Sequence, residues 1–103
     1  MSTNEVKKVV RNYAKVLKAN GFSFSNIYLF GSYASGKAGR DSDIDVAVIV
    51  KKIESYLDDT MLLWRLAGRT DSRIEPILVE SKDFQTCATQ MAYETRKNGL
   101  KVV

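Results

Sequence analysis

Asp43 and Asp45 stand two positions apart at the start of an apolar run, Ile44 to Val50. Residues two apart on a strand leave the same face, so this spacing aims both carboxylates one way. Carboxylate oxygens are hard ligands and suit Mg2+. Upstream, Gly31-Ser32 ends another apolar run, Ile27-Tyr28-Leu29-Phe30, and the ten residues between Ser32 and Asp43 are rich in Gly and Ser. A glycine at that point lets a backbone approach a ligand closely. If a helical turn starts at Ser32, the Gly31 and Ser32 amides point toward an anion. A Gly-rich turn beside two alternating acids suits a site that handles phosphates.

Glu75 opens a third apolar run, Ile74 to Val79. In nucleotidyl transfer a protein mainly positions phosphates and neutralises charge. Two divalent ions roughly 3.5–4 Å apart can hold the attacking and leaving oxygens. Asp43 and Asp45 would bridge such ions. Glu75 would be a third ligand, or the base toward an acceptor hydroxyl. Ser32 would bind a terminal phosphate, and Lys37 or Arg40 would offset triphosphate charge. Each has a plainer reading: Arg40 as a surface partner of Asp41 or Asp43, Glu75 as an ion-pair partner of Arg73 or Lys82. Crowded carboxylates without a cation should have raised pKa values.

The elements that must position these residues follow from periodicity. Residues 4–20 read as an amphipathic helix with Val6, Val9, Val10, Tyr13, Val16 and Leu17 on its apolar stripe. Ser2 and Glu5 suit a capping box, and Asn20-Gly21 a stop. Ser32 to Lys37 begins a helical turn. Residues 54–70 read as a second long helix, with Leu57, Met61, Trp64 and Gly68 on one stripe and Leu62 and Leu66 toward the far side. Its simplest account is wide burial against a sheet; the other is an exposed apolar strip for a protein partner. Pro76 places the third strand at an edge, or lies near its start. A last helix is expected over 83–97, with Phe84, Cys87, Ala88, Met91 and Ala92 inward, and a short strand after Gly99.

The order α-β-α-β-α-β-α predicts one α/β (α+β) domain over residues 1–103, a small mixed sheet of three or four strands flanked by helices. The motif constrains the strands. Gly31-Ser32 meets Asp43 and Asp45 if the first two strands are antiparallel neighbours. Glu75 joins them if the third runs parallel to the second, with residues 54–70 as the right-handed crossover.

Composition bounds the chemistry. There is no histidine, which excludes a His triad, a His base and a His zinc site. The single cysteine, Cys87, excludes an internal disulfide and reads as a small core residue. No run approaches the roughly 18 apolar residues of a membrane span, and the N-terminus lacks the apolar stretch of a signal peptide. A cytoplasmic location is expected, without membrane association. The net charge of +4 fits a polyanionic ligand or plain solubility. The Lys-rich first helix lacks interleaved aromatics, so direct nucleic-acid binding is not expected.

Gly31-Ser32, ten residues, then Asp43-x-Asp45 resembles the signature of the DNA polymerase β-like nucleotidyltransferase superfamily. The chain looks like its minimal nucleotidyltransferase (MNT) branch, and the likeness covers nearly all of it. The resemblance implies a nucleotidyltransferase fold, Mg2+ as two ions and ATP as substrate. Gly31 and Ser32 would form the triphosphate-binding turn, and Asp43, Asp45 and Glu75 the catalytic metal ligands. It further implies the antitoxin half of a toxin–antitoxin pair, partnered by an all-helical HEPN ribonuclease in a hetero-oligomer. Some such antitoxins transfer AMP to a tyrosine of the partner. A chain of 103 residues leaves no room for an acceptor-binding domain, so the acceptor must come from another molecule. Two functions follow: AMP transfer to a partner hydroxyl, or a non-catalytic nucleotide-binding module that neutralises a HEPN partner by contact alone.

Overall fold

The computed structural model describes residues 1–39 and 41–103; the sequence reading of Arg40 lies outside them. In chain order the elements are α1 (Thr3–Ala19), β1 (Asn26–Phe30), α2 (Ser32–Ser35), β2 (Ile44–Val50), α3 (Tyr56–Thr70), β3 (Ile74–Glu80), α4 (Ser81–Thr86), α5 (Gln90–Asn98) and β4 (Leu100–Lys101). The four strands form one sheet in the order β3-β2-β1-β4. β1 runs antiparallel to β2 and β4, while β2 and β3 are parallel and joined through α3. This is the expected mixed sheet.

Local chemistry sets the helix ends. Ser2 and Glu5 close the capping box on α1, and Gly21, with φ +77°, takes the left-handed turn after it. Ser55 accepts from the Asp58 amide to start α3. The last helix departs from expectation. It splits at Cys87, which ends α4 in a left-handed conformation at φ 52°, and Thr89 then caps α5 through the Ala92 amide. Competition between a Thr cap and a continuous helix is settled here for the cap. Cys87 is only partly buried, and Met91 is exposed rather than in the core.

Strand alternation separates two faces. Ile27, Leu29, Ile44, Val46, Val48 and Val50 point into the main core beneath α1 and α3. Ala47, Ile49 and Val79 face the other way, toward Phe84 of α4 and Ala92 of α5. β2 is thus covered on both sides, as its unbroken apolar run requires. In the main core, the buried Tyr13 hydroxyl donates to the Leu63 carbonyl at 2.8 Å, tying α1 to α3. Burial holds the Tyr13 phenol well above its ordinary pKa. Tyr13→Phe should cost about 1 kcal/mol in urea unfolding, the usual net value of such a bond.

α3 settles the choice left by its sequence. Leu63, Leu66 and Ala67 are buried, whereas Tyr56, Leu57, Met61 and Trp64 stay 65, 68, 62 and 48% exposed. Wide burial fails, because α1 and the sheet meet only the Leu63–Leu66–Ala67 side. The stripe at Leu57, Met61 and Trp64 faces outward.

Pro76 lies on an edge strand and near its start, so both conditions for a strand proline hold. The Ile44 amide donates to the Arg73 carbonyl, which turns Arg73, Glu75 and Ile77 toward β2. Pro76 therefore turns its nitrogen away from the ladder and removes no β2–β3 bond.

Candidate active site

The strand registers bring the Gly-Ser turn and the acids together. Phe30, the last residue of β1, lies opposite Asp45, and Asp45 lies beside Glu75 on β3. By alternation Asp45 shares the sheet face of Ala47 and Ile49, and Glu75 that of Ile77, so both carboxyls stand on the α4–α5 side. Asp43 precedes β2 and is exposed; Asp45 and Glu75 are half-buried.

Gly31 starts α2 with φ 70° and ψ −148°, a conformation open to glycine and costly for other residues. A Cβ placed there would collide with the Asp45 carboxylate. The glycine is therefore needed twice, for its backbone angles and for the carboxylate packed against it. Tyr33, buried in the main core, anchors the short α2. Ser32 is half-buried at its first position, and Lys37 is exposed beyond its end. The Lys37 amide donates to the Ser32 carbonyl, closing the turn at 2.9 Å.

The Asp45 carboxyl is pushed up to about 6, first by burial and then by the negative charges of Glu75 and Asp43, with a Glu75 hydrogen bond adding to it. This is the raised pKa expected of crowded acids. Arg73 does not neutralise Glu75. It forks onto Asp71 instead, at 2.7 and 3.0 Å, and this pair holds the Asp71 carboxyl below its usual range. Among the described residues Glu75 forms no ion pair, with Lys82 or otherwise.

Hard carboxylate oxygens under mutual repulsion fit a divalent cation by donor chemistry. Among the described residues, no group of three or more His, Cys, Asp or Glu side chains stands arranged to hold a metal ion. Asp45 and Glu75 are the adjacent pair, and the exposed Asp43 would have to turn toward them.

Sequence reasoning missed two features. Phe30 sits beside both Gly31 and Asp45, a placement that only the antiparallel register reveals. A hollow of about 670 Å3 lies between α2 and α5, lined by Phe30, Gly31, Ser35, Met91, Glu94 and Asn98. The exposed Met91 marks it, but the pattern of an unbroken helix places Met91 inward. A hollow of about 720 Å3 at the other end of β2, beside Val50, Lys51 and Lys52, lies far from the acids.

Fold and site together define a domain of the nucleotidyltransferase class. A family model described as a nucleotidyltransferase domain matches residues 10–101, and the chain belongs to this family. It is 34% identical over 73 residues to the protein adenylyltransferase MntA of Shewanella oneidensis, a match covering 71% of this chain and 52% of that protein. The chain thus spans about half the length of that relative. A Methanocaldococcus jannaschii protein, provisionally named a protein adenylyltransferase, is 27% identical over 101 residues, 94% of each chain. A crystal structure of a toxin–antitoxin with AMP-PNP superposes with a TM-score of 0.66 at 28% identity, covering 94% of this chain and 72% of that one.

Proposed function

We propose that the protein transfers AMP from ATP to a hydroxyl group of a partner protein, acting as the antitoxin of a pair with a helical HEPN protein. The observation that carries this reading is the junction of Gly31, Asp45 and Glu75: a bare backbone turn packed against one carboxylate, with a second beside it. The names of the relatives, adenylyltransferases and a toxin–antitoxin with AMP-PNP, support the choice of nucleotide and partner.

In this reading the first amides of α2 and the Ser32 hydroxyl hold the β- and γ-phosphates, and Lys37 and Arg40 offset their charge. Asp43, Asp45 and Glu75 would hold Mg2+, which when bound neutralises the phosphates and orients the reacting oxygens. The acceptor oxygen forms a bond to the α-phosphorus as the bond to the bridging β-phosphate oxygen breaks. AMP stays on the acceptor and pyrophosphate leaves. The acceptor proton passes to Glu75, which forms no ion pair among the described residues.

The test is to incubate the protein with labelled ATP, Mg2+ and the small helical protein encoded beside it. Label should appear on a hydroxyl side chain of that partner, and Glu75→Gln should slow transfer by about a hundredfold or more. A stable complex with no label would instead establish neutralisation by contact alone.

A further inference from the structure

The exposed stripe on α3 lies across the sheet from the acids. α3 packs on the Ile44–Val46–Val48 face, whereas Asp45 and Glu75 stand on the α4–α5 face. A group seated on Tyr56, Leu57, Met61 and Trp64 therefore lies across the sheet from the carboxyls. An occupant of the stripe need not reach the acids.

The charges flanking the stripe say which. Asp58 and Arg65 are both exposed, and neither forms an ion pair among the described residues. They lie seven residues apart, so they fall on the same flank of the stripe, nearly two helical turns from each other. Met61 is close to midway between them. When two copies of α3 pack antiparallel about a two-fold axis near Met61, Asp58 of each copy meets Arg65 of the other. In parallel packing the flank that carries Asp58 and Arg65 falls on opposite sides of the seam in the two copies, so neither residue meets its counterpart or its opposite charge. The acid at one end and the base at the other make the surface complementary to itself in one direction only. Self-complementarity under a two-fold axis is the property of an isologous interface.

We propose that α3 is a homodimer interface, pairing antiparallel with a second copy of this chain across Leu57, Met61 and Trp64, with reciprocal Asp58–Arg65 contacts at its flank. The dimer leaves both acid-bearing sheet ends open. The inference is independent of the catalytic reading, since it uses none of the site residues.

Sedimentation of the purified protein over a concentration series tests it. The protein alone should be dimeric at micromolar concentration, and Met61→Glu should make it monomeric. Asp58→Arg and Arg65→Asp should each weaken dimerisation by about tenfold, from two repulsive contacts per dimer. The double variant Asp58→Arg/Arg65→Asp should restore it. All three positions involved are exposed, so circular dichroism should show each variant folded. A protein that remains monomeric overturns the proposal. So does a double variant no better than the single ones. A third overturning result is a monomer whose Met61→Glu variant loses a helical protein partner, which would assign the stripe to that partner.

Discussion

Asp45→Asn should yield a protein that is more heat-stable at pH 7.5 and nearly devoid of transfer activity. The Asp45 carboxyl titrates near 6 when folded, against an ordinary value of 3.8. The folded state thus favours the protonated form. The stability this group lends is fully present below about pH 4 and is lost as the pH rises through 6. At pH 7.5 the ionised side chain burdens the fold, through burial and through its repulsion by Glu75 and Asp43. An asparagine fills the same space without charge, and its amide can still donate to Glu75. Solvent screening of this half-exposed group limits the gain to about a few degrees in Tm. Transfer should fall by about a hundred- to a thousandfold, the usual consequence of deleting one electrostatic stabiliser. Differential scanning calorimetry at pH 4.5 and 7.5 separates the effects: the gain should appear at the higher pH and shrink at the lower. A variant less stable than the parent at pH 7.5 would contradict this account of Asp45.

Gly31→Ala should damage fold and site together. The new methyl would require a backbone angle that suits glycine, at a cost of about 1–3 kcal/mol. It would also drive the Asp45 carboxylate out of its place, because that carboxylate occupies the space a Cβ needs. Gly36→Ala is the matched control. Gly36 also has a positive φ, +77°, but a Cβ there meets nothing within 4 Å. It should cost about 1–2 kcal/mol and leave binding of a non-hydrolysable ATP analogue intact. Gly31→Ala should abolish that binding. Equal binding by the two variants would refute the idea that Gly31 is reserved for the contact with Asp45.

The acid-bearing sheet end was legible in the sequence because its parts obey strong local rules. Alternation placed Asp45 on the face of Ala47 and Ile49, and the crossover rule brought Glu75 beside it, whereas Asp43 lies just before β2 and stays exposed. The register that sets Asp45 between Phe30 and Glu75 is a tertiary fact, so the role of Phe30 as a neighbour stayed hidden. α3 misled for a different reason. Leu57, Met61 and Trp64 make as good a stripe as Leu63, Leu66 and Ala67, and periodicity does not say which stripe the core takes. The core took the one that α1 reaches through Tyr13. The break at Cys87 was equally silent, because Phe84, Ala88 and Ala92 keep helical spacing across it.

Pro76 has a consequence beyond its own strand. β3 is one open border of the sheet, and an open border is a template on which another chain can lay a strand. The nitrogen that β3 turns outward at its third residue carries no hydrogen. An incoming strand would lose a bond there, next to Glu75. The border nearest the chemistry is thus kept from growing by one ring, and the sheet ends where the acids need open water.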